Sequence, residues 1–599
     1  MWDLKVIQRV EALLAVSLLA VANFAQSAMP VGIPDPASSV PAAIMPTLPS
    51  SDSQIPAFPY DPINMPTPQW ADRANQYYVD SSSADCDDAS NDGRGNPTTP
   101  RCSLPGLRGT TWSLNPGDQL FIAGNGARYG NAQHVERADM PGTATDPIWI
   151  IGAGERLPEL NFERFSWQRG RHVIFDSVHF RSPEDNFRMR WSDATGPIEY
   201  FTFRSVDCSG SEGTHSNASR RCFSLGGSSS NILQFVVFHD IDIWGLGRWQ
   251  DDRRTSRDLL GIQLQKWSRY VWVLDSRIRN IQGDSIMCGN SNWWDFDRAS
   301  RPHYLYVGGS EFYENYENGY DQKGCYHVVF SENHVHDIYN SQKPANATAI
   351  ITEQDSEGDV GGKFTWFLNN LVENAGTAFR SSATTDDAFI YILGNVVRNI
   401  DSAALSFTQR CYSGGSNGQT CPEGLVFAQN TVDCNLKATG VSNTQNPVGS
   451  NQVVEIDGNI FYNCIDGGEG STQNWESFSE QPLYLKHVNN VDYRVSGGDV
   501  TLNTRRFDVL ENNLLNTPPL ISTGDSIYNL LDGSPAANLV EQQNSAYNSF
   551  SAMYGLDIRK DRMGNSWTST STINAGANQG DIVVTPSLAP PSAPILLVN

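Results

Sequence analysis

The chain has 599 residues, of which 18% are charged, and a formal net charge of −24 at pH 7. An acidic balance of this size argues against nucleic acid as a partner, because phosphates attract basic surfaces. Beyond the N-terminus, no stretch approaches the roughly 20 apolar residues that a membrane-spanning helix needs. We therefore expect a protein with no membrane span and no nucleic-acid partner.

The N-terminus has the features of an export signal. Lys5 and Arg9 precede an apolar stretch from Ala12 to Ala22, and small residues suited to cleavage follow this stretch. The pattern predicts a signal peptide over residues 1–28 and a secreted or periplasmic mature protein.

The segments that follow the signal, and those at the far end, have compositions typical of accessory regions. Residues 29–68 contain eleven prolines, which predicts an extended linker or an arm lying along the rest of the chain over residues 29–76. Residues 77–130 are predicted to be the N-terminal cap and first coil of a solenoid. Residues 521–599, with a Pro-rich end, are predicted to be a C-terminal cap and tail.

One pattern repeats between residues 131 and 520, where short apolar runs end in an Asn or Ser anchor. The anchors recur about every 23 to 37 residues, a period typical of stacked supersecondary units. Each unit has only strand-length apolar runs, and an inward Asn or Ser in each coil can bond to its equivalent above and below. The sequence therefore predicts an all-β fold, a right-handed parallel β-helix. The anchors are Asn333, Asn370, Asn395, Asn430 and Asn459, preceded by Ser177, Ser205, Ser276 and Ser310 and a weaker member near Asp240.

Ten cysteines fit disulfide formation in an oxidising compartment. Metal binding by these cysteines is not expected, because no CxxC pair exists to chelate zinc. Cys434 and Cys464 follow successive Asn anchors, so adjacent coils would align them. The other expected pairs are local: Cys86 with Cys102, Cys208 with Cys222, and Cys411 with Cys421.

The end segments and the coils carry a family resemblance. The opening Tyr78-Val79-Asp80 with a later Asp92-Gly93, the Pro116-Gly117-Asp118 before the first coil, and the closing Gly533-Ser534-Pro535-Ala536 with Asn574-Ala575-Gly576-Ala577 accompany the anchored coils. Together they resemble secreted bacterial right-handed β-helix proteins of the pectate-lyase-like superfamily, over roughly residues 77–580. That fold hosts lyases, hydrolases, esterases, epimerases and adhesins, so the resemblance implies a fold and not an activity.

One strand carries a more specific resemblance. Glu317-Asn318-Gly319-Tyr320-Asp321-Gln322-Lys323-Gly324 is similar to the Gly-(Ile/Val)-Asp-(Leu/Phe)-Lys strand of calcium-assisted polysaccharide lyases of the family 9 pectate-lyase type. The resemblance implies that Lys323 is the Brønsted base and that acids on neighbouring coils bind Ca²⁺. The candidate calcium ligands are Asp284, Glu317 and Asp321. Strand alternation sends Asp321 and Lys323 to one face and Tyr320 and Gln322 to the other.

Elimination at a uronic acid needs a cation that neutralises the carboxylate and a base that removes the C5 proton. Aligning Gly319 with Gly376 puts Arg380 at the Lys323 position two coils further on, with Thr352 between them, so Arg380 or Ca²⁺ is expected to be that cation. A window that is net positive, with ten basic and seven acidic residues between Gly245 and Arg301, fits an anionic polysaccharide. The candidate substrate-binding residues are Trp293, Trp294, Tyr320, His334 and His336.

The favoured interpretation is a secreted, monomeric polysaccharide lyase, and several alternatives stay open. Asp284, Glu317 and Asp321 would also supply paired carboxylates for a glycoside hydrolase. A non-catalytic glycan-binding solenoid is the third reading. Alternatives also stay open for single features: Lys323 and Asp321 form a surface ion pair, the two histidines are bystanders, or the Trp293-Trp294 loop packs against its own scaffold.

Overall fold

The computed structural model describes most of the chain, with gaps in its connecting segments. The predicted signal peptide, Trp293, Trp294, Cys411 and Cys421 lie outside the described residues. The described residues are 29–38, 40–41, 54–55, 57–105, 111–129, 135–161, 164–181, 187–190, 196, 198–210, 221–246, 259–289, 300–338, 347–352, 363–381, 389–407, 424–443, 453–465, 484–496, 499–500, 509–522, 528–562, 564–567 and 572–578.

The chain winds into a right-handed parallel β-helix with three strand-bearing sides, here called faces A, B and C. This confirms the predicted fold class. Each coil runs from face A through a tight bend to face B, then to face C, and returns to face A one level further along. The strands of face A are Gln76–Val79, Gln119–Ala123, Ile148–Ala153, the second half of Arg164–Asp176, Ile198–Arg204, Leu233–His239, Ser268–Leu274, His303–Gly308, Tyr326–Ser331, Lys363–Leu368, Phe389–Leu393, Gly424–Ala428, Val453–Asp457, Tyr484–Val488 and Val509–Glu511.

Faces B and C are built from shorter strands that pair in parallel with their neighbours along the axis. Face B comprises Arg128–Tyr129, Glu159–Asn161, His179–Arg181, Asp207–Ser209, Asp242–Leu246, Arg277–Ile281, Glu311–Tyr313, His334–His336, the first halves of Leu371–Ser381 and Val396–Phe407, Thr431–Asp433, Ile460–Tyr462, Val491–Tyr493 and Leu514–Leu515. Face C comprises Thr111–Ser113, Val135–Pro141, the first half of Arg164–Asp176, Phe187–Arg190, Arg221–Gly226, Leu260–Leu264, Ile286–Gly289, Tyr320–Lys323, Thr348–Thr352, the second halves of Leu371–Ser381 and Val396–Phe407, and Thr439–Asn443.

A few elements lie outside the coils. Val40–Pro41 pairs antiparallel with Gln54–Ile55, and Ser90–Gly93 forms a single helical turn in the N-terminal region. Ser545–Tyr554 is an α-helix whose N-terminus is capped by the Asn544 side chain, which accepts from the Ala546 amide at 3.0 Å. Gly555 ends this helix in the left-handed conformation, at φ 68°. Among the described residues, no helix is long and apolar enough to cross a membrane.

The anchors at the bend between faces A and B form the predicted ladder. The Asn370 Nδ2 donates to Asn395 Oδ1 at 2.9 Å, and the Asn395 Nδ2 donates to Asn430 Oδ1 at 3.0 Å. The same bonding continues through Asn459 and Asn490 to Asn513, all of them inward at one bend. Each of these side-chain amides also forms hydrogen bonds with buried backbone groups that no water reaches. The ladder therefore takes the place of solvent as the hydrogen-bond partner inside the solenoid.

Two of the four serine anchors were predicted in the wrong register. Ser276 and Ser310 do belong to the ladder, because the Ser276 amide donates to Ser310 Oγ at 3.1 Å. Ser177 and Ser205 lie one residue earlier, at φ 59° and 49°, and Asp240 shares their position. The ladder position in those early coils is held by apolar residues instead: Val178, Val206 and Ile241.

The outer side of face A is covered by both ends of the described chain. Val31, Ile33 and Phe58 from the Pro-rich arm form one buried apolar cluster with Trp272 and its neighbours on face A. The Trp272 indole also donates to the Pro34 carbonyl at 2.9 Å. Further along the axis, the helix Ser545–Tyr554 buries its apolar side in the same cluster. Face A is therefore closed to a large ligand in these coils.

Part of face B is covered as well. Ile521, Leu530, Val540 and other residues of the C-terminal segment pack on Leu371 and on its equivalents in later coils, which are Val396, Ile460 and Val491. The coils of face B that precede Leu371 lie outside this cluster. The described terminal segments thus leave face C and the earlier part of face B as the sides for a functional site.

Four disulfides hold the described residues. They include the three predicted pairs Cys86–Cys102, Cys208–Cys222 and Cys434–Cys464. The fourth, Cys288–Cys325, joins two coils of face C and was not predicted. Disulfides at this density are typical of proteins that fold in oxidising compartments.

Candidate functional site

The outer side of face C brings together an acid and the candidate base. In the strand Tyr320–Lys323, the Gln322 side chain points inward and donates to Thr365 Oγ1 at 2.8 Å. Asp321 and Lys323 point outward, as alternation predicts, and the Lys323 Nζ lies 3.0 Å from Asp321 Oδ2. The Asp321 side chain is only 3% exposed, whereas that of Lys323 is 20% exposed. Lys323 is therefore the member of this pair that a ligand can reach.

A second carboxyl group lies beside this pair. Asp284 stands at the bend that leads into Ile286–Gly289, the strand that pairs with Tyr320–Lys323. Its side chain is buried, and its Oδ1 accepts from Asn318 Nδ2 at 2.7 Å. Its Oδ2 has no hydrogen-bond partner among the described residues.

Burial raises the pKa of the Asp284 carboxyl well above its usual range. The nearby charges of Glu317 and Asp321 raise this pKa further, and the Lys323 ammonium opposes them. The net effect favours the protonated, neutral form of the Asp284 carboxyl. Asp321, held by Lys323, is its charged neighbour.

Tyr320 is not a substrate-binding residue. Its ring is fully buried in the solenoid core and contacts Phe330 at a centroid distance of 5.3 Å. The alternation that exposes Lys323 necessarily turns Tyr320 inward, so its inclusion among the binding residues was wrong.

The register of Arg380 also differs from the prediction. Arg380 pairs with Ile351, which pairs with Asp321, so Arg380 shares the column of Asp321 and not that of Lys323. Thr352 lies in the column of Gln322. Arg380 is nevertheless exposed on the same outward side, two strands from Asp321, or about 10 Å at the usual strand spacing.

The three predicted calcium ligands do not fit one ion. The carboxylate oxygens of Asp284, Glu317 and Asp321 are not gathered within 4.8 Å of one another, and among the described residues only Glu311, His334 and His336 meet that criterion. The Lys323 ammonium already neutralises Asp321, and Asn318 holds one oxygen of Asp284. A calcium ion needs six to eight oxygen ligands, so this group is better described as an acid–lysine cluster.

His334 and His336 lie elsewhere. They occupy the outer side of face B, in the strand His334–His336, and so do not share a surface strand with Lys323 on face C. Their rings stack at 4.1 Å, and Glu311 and Glu373 flank them on the strands before and after. They form a separate cluster.

Sequence reasoning missed several partners in both clusters. Asn318, which holds Asp284, lies within the strand motif that was singled out but was given no role. Glu311 and His334 both follow a ladder anchor directly, and His336 and Glu373 come three residues after theirs. Counting from the anchors would have placed these residues on one outer surface of face B.

Comparisons with known proteins assign neither a family nor an activity to this chain. No protein-family model matches the chain, and no curated protein matches it. A lacto-N-biosidase of family GH136 from Eubacterium ramulus is 14% identical, with 74% of this chain and 67% of that chain covered and a TM-score of 0.37.

Two further solved structures match this chain with similarly low identities and TM-scores. A PL6 polysaccharide lyase from Pseudopedobacter saltans is 10% identical, covering 67% of this chain and 99% of that chain at a TM-score of 0.36. A rhamnogalacturonan lyase is 12% identical, with 80% of this chain and 99% of that chain covered and a TM-score of 0.35. All these scores lie below 0.5, so no activity is assigned from them.

Proposed function

We propose that this protein is a secreted, monomeric enzyme that cleaves an anionic, uronic-acid-containing polysaccharide by β-elimination on face C. The observation that carries this proposal is the difference in exposure within the acid–lysine cluster. Asp284 and Asp321 are buried, and the 20% exposed Lys323 is left as the group that meets a substrate. Two buried carboxyl groups behind one accessible amine suit a lysine base better than a pair of carboxylates acting directly on a sugar.

The reaction assigns one task to each outward group. Lys323 Nζ accepts the C5 proton of the uronate, the C5–H electron pair forms the C4–C5 double bond, and the C4–O4 bond breaks. The departing oxygen takes a proton from water. Arg380, exposed on the same side, neutralises the substrate carboxylate so that the C5 proton becomes acidic.

Lys323 must be a neutral amine when it acts. In the free protein Asp321 favours the ammonium form, since their charged atoms lie 3.0 Å apart. A bound glycan displaces the remaining water from Lys323, and loss of solvent disfavours charge on both members of the pair. Transfer of the ammonium proton to Asp321 then frees the base.

A second candidate reaction is hydrolysis of a glycosidic bond. It is favoured by the raised pKa of Asp284 beside the ionised Asp321, because one protonated and one charged carboxyl group are what a glycoside hydrolase requires. In that case Asp284 donates a proton to the leaving oxygen. Lys323 then serves only to keep Asp321 charged.

One experiment separates these reactions. The purified protein is incubated with alginate, pectate, glucuronan, ulvan and glycosaminoglycans, while the ultraviolet absorbance of unsaturated uronates and the release of reducing ends are followed together. Elimination raises both signals. Reducing ends without the absorbance indicate hydrolysis, and binding without either product indicates a glycan-binding solenoid and contradicts both reactions.

A further inference from the structure

The outer side of face B carries a cluster of imidazole and carboxylate groups that the proposed reaction does not use. Glu311 Oε1 lies 3.2 Å from His336 Nε2 and 3.8 Å from His334 Nδ1. These three donor atoms lie within 4.8 Å of one another and are partly exposed. Glu311 comes from one coil and both histidines from the next, so the cluster spans two coils.

The other nitrogen of each histidine is held by a second carboxylate. His334 Nε2 lies 2.8 Å from Glu373 Oε1, and His336 Nδ1 lies 2.7 Å from Asp337 Oδ2. If each of these nitrogens carries the proton, the lone pairs of His334 Nδ1 and His336 Nε2 both point towards Glu311. A carboxylate behind the imidazole is the usual way in which proteins orient a histidine ligand for a metal.

The supporting carboxylates are themselves fixed. Arg398, the register partner of Glu373 in the next coil, donates a hydrogen bond to it. Asp337 accepts from Asn374 Nδ2 at 3.0 Å. Each orienting carboxylate is therefore held in place by a hydrogen bond from the next coil.

Among the described residues, the arginines beside Glu311 are paired with another carboxylate. Arg277, the register partner of Glu311, lies 3.2 Å from Asp242, and Arg279 lies at the same distance from that carboxylate. The two histidine rings stack at 4.1 Å. Two protonated imidazole rings at that distance repel each other. The stacked arrangement therefore favours two neutral rings that share one bound cation.

We propose that Glu311, His334 and His336 form a binding site for a divalent transition metal, with Zn²⁺ as the preferred ion. Two imidazole nitrogens and one carboxylate oxygen are a ligand set that suits zinc, and the remaining position stays open to water. Calcium and magnesium prefer oxygen ligands throughout and fit this set poorly. The metal ties two consecutive coils together on face B.

The test uses the full-length mature protein without a histidine tag, stripped with a chelator and dialysed. Zn²⁺ is titrated by equilibrium dialysis with metal analysis, and thermal unfolding is followed with and without the ion. We expect one equivalent of zinc to bind and to raise the melting temperature, because a ligand that binds only the folded state stabilises it. Calcium at the same concentration leaves the melting temperature unchanged.

Matched variants locate the site, since the chain has ten histidines. Glu311→Gln and His334→Asn each lower zinc affinity at least about tenfold, and Asp337→Asn lowers it by a similar or smaller factor through the histidine that it orients. His239→Asn is the control, since His239 lies 3.3 Å from the single carboxylate of Asp275 and keeps the wild-type affinity.

Three results overturn the proposal: no saturable zinc binding, equal affinity in the Glu311→Gln/His336→Asn double variant, or equal stabilisation by calcium. Folding of each variant is checked by its melting temperature in chelator, where no metal contributes. A variant that fails this check is replaced by Glu311→Gln alone, because the Glu311 side chain is 40% exposed and its loss does not disturb the core.

Discussion

The Lys323 Nζ lies 3.0 Å from Asp321 Oδ2, in a pair of which the carboxylate is almost wholly buried. We predict that Lys323→Ala loses nearly all turnover, because the proposed base is removed. The variant should also lower the free energy of unfolding by about 3 kcal/mol, because it leaves the buried Asp321 carboxylate without its partner. Adding Asp321→Asn to that variant should recover most of the stability and none of the activity. Turnover on the glycan identified by the screen and denaturant unfolding measure the two effects.

Lys486→Ala is the matched control for this experiment. Lys486 forms an ion pair with Glu455 on face A, where its side chain is 32% exposed. Its loss should cost at most about 1 kcal/mol and leave turnover unchanged. Full turnover in Lys323→Ala would show that another group is the base.

The raised pKa of Asp284 makes a prediction about pH. A carboxyl group whose pKa is higher in the folded than in the unfolded state contributes stability below its unfolded value, near 4, and that contribution is lost as pH rises through the folded value. Asp284→Asn should therefore be more stable than the wild type at neutral pH, and this advantage should shrink towards pH 4. Denaturant unfolding over that pH range measures the difference.

The same variant separates the two candidate reactions. If Lys323 is the base of an elimination, Asp284→Asn retains substantial turnover, because Asn can still accept the hydrogen bond from Asn318. If Asp284 is the acid of a hydrolase, the variant loses about 100-fold or more in kcat. An unchanged pH dependence of stability would instead contradict the assignment of a protonated Asp284.

The ladder gives a prediction about stability alone. Asn395 accepts from the Asn370 amide at 2.8 Å and donates to Asn430 Oδ1 at 3.0 Å inside the solenoid. Asn395→Ala leaves several buried polar groups without hydrogen-bond partners, so it should lower the free energy of unfolding by about 3 kcal/mol or more. Asn125→Ala, which removes an exposed amide, should cost less than about 1 kcal/mol. Equal losses in chemical denaturation would contradict a stabilising ladder.

The coil and its ladder could be predicted because the repeat is written into the sequence as apolar runs with an Asn or Ser at a fixed place. The prediction of the early anchors was wrong for a physical reason. A polar residue at the left-handed bend, such as Ser205, precedes the inward anchor position by one residue, and in the sequence it is easily taken for the anchor itself. In those coils the inward position is filled by an apolar residue, Val206, and no polar ladder is needed.

For the candidate site, the sequence could predict which side chains of a strand face outward, because side chains alternate along a strand. Alternation correctly placed Asp321 and Lys323 outward, but the alignment of Gly319 with Gly376 was wrong. Tyr320 pairs with Ile350 and Ile350 pairs with Phe379, so the residues that correspond to Gly319 are Ala349 and Ala378. No feature of the strand itself indicates that Asp321 is buried, since burial depends on residues from other coils.

The disulfide Cys288–Cys325 gives the last prediction. It joins the strand Ile286–Gly289 to the residue two positions after Lys323, and both sulfurs are buried. Its removal in Cys288→Ser/Cys325→Ser should cost about 2–4 kcal/mol. It should also lower turnover, since the acid–lysine cluster spans the same two strands. The matched control, Cys86→Ser/Cys102→Ser, opens a bridge in the N-terminal region and should lower the melting temperature without changing kcat at a temperature where both variants are folded. Equal kcat in both double variants would restrict the Cys288–Cys325 bridge to a role in stability.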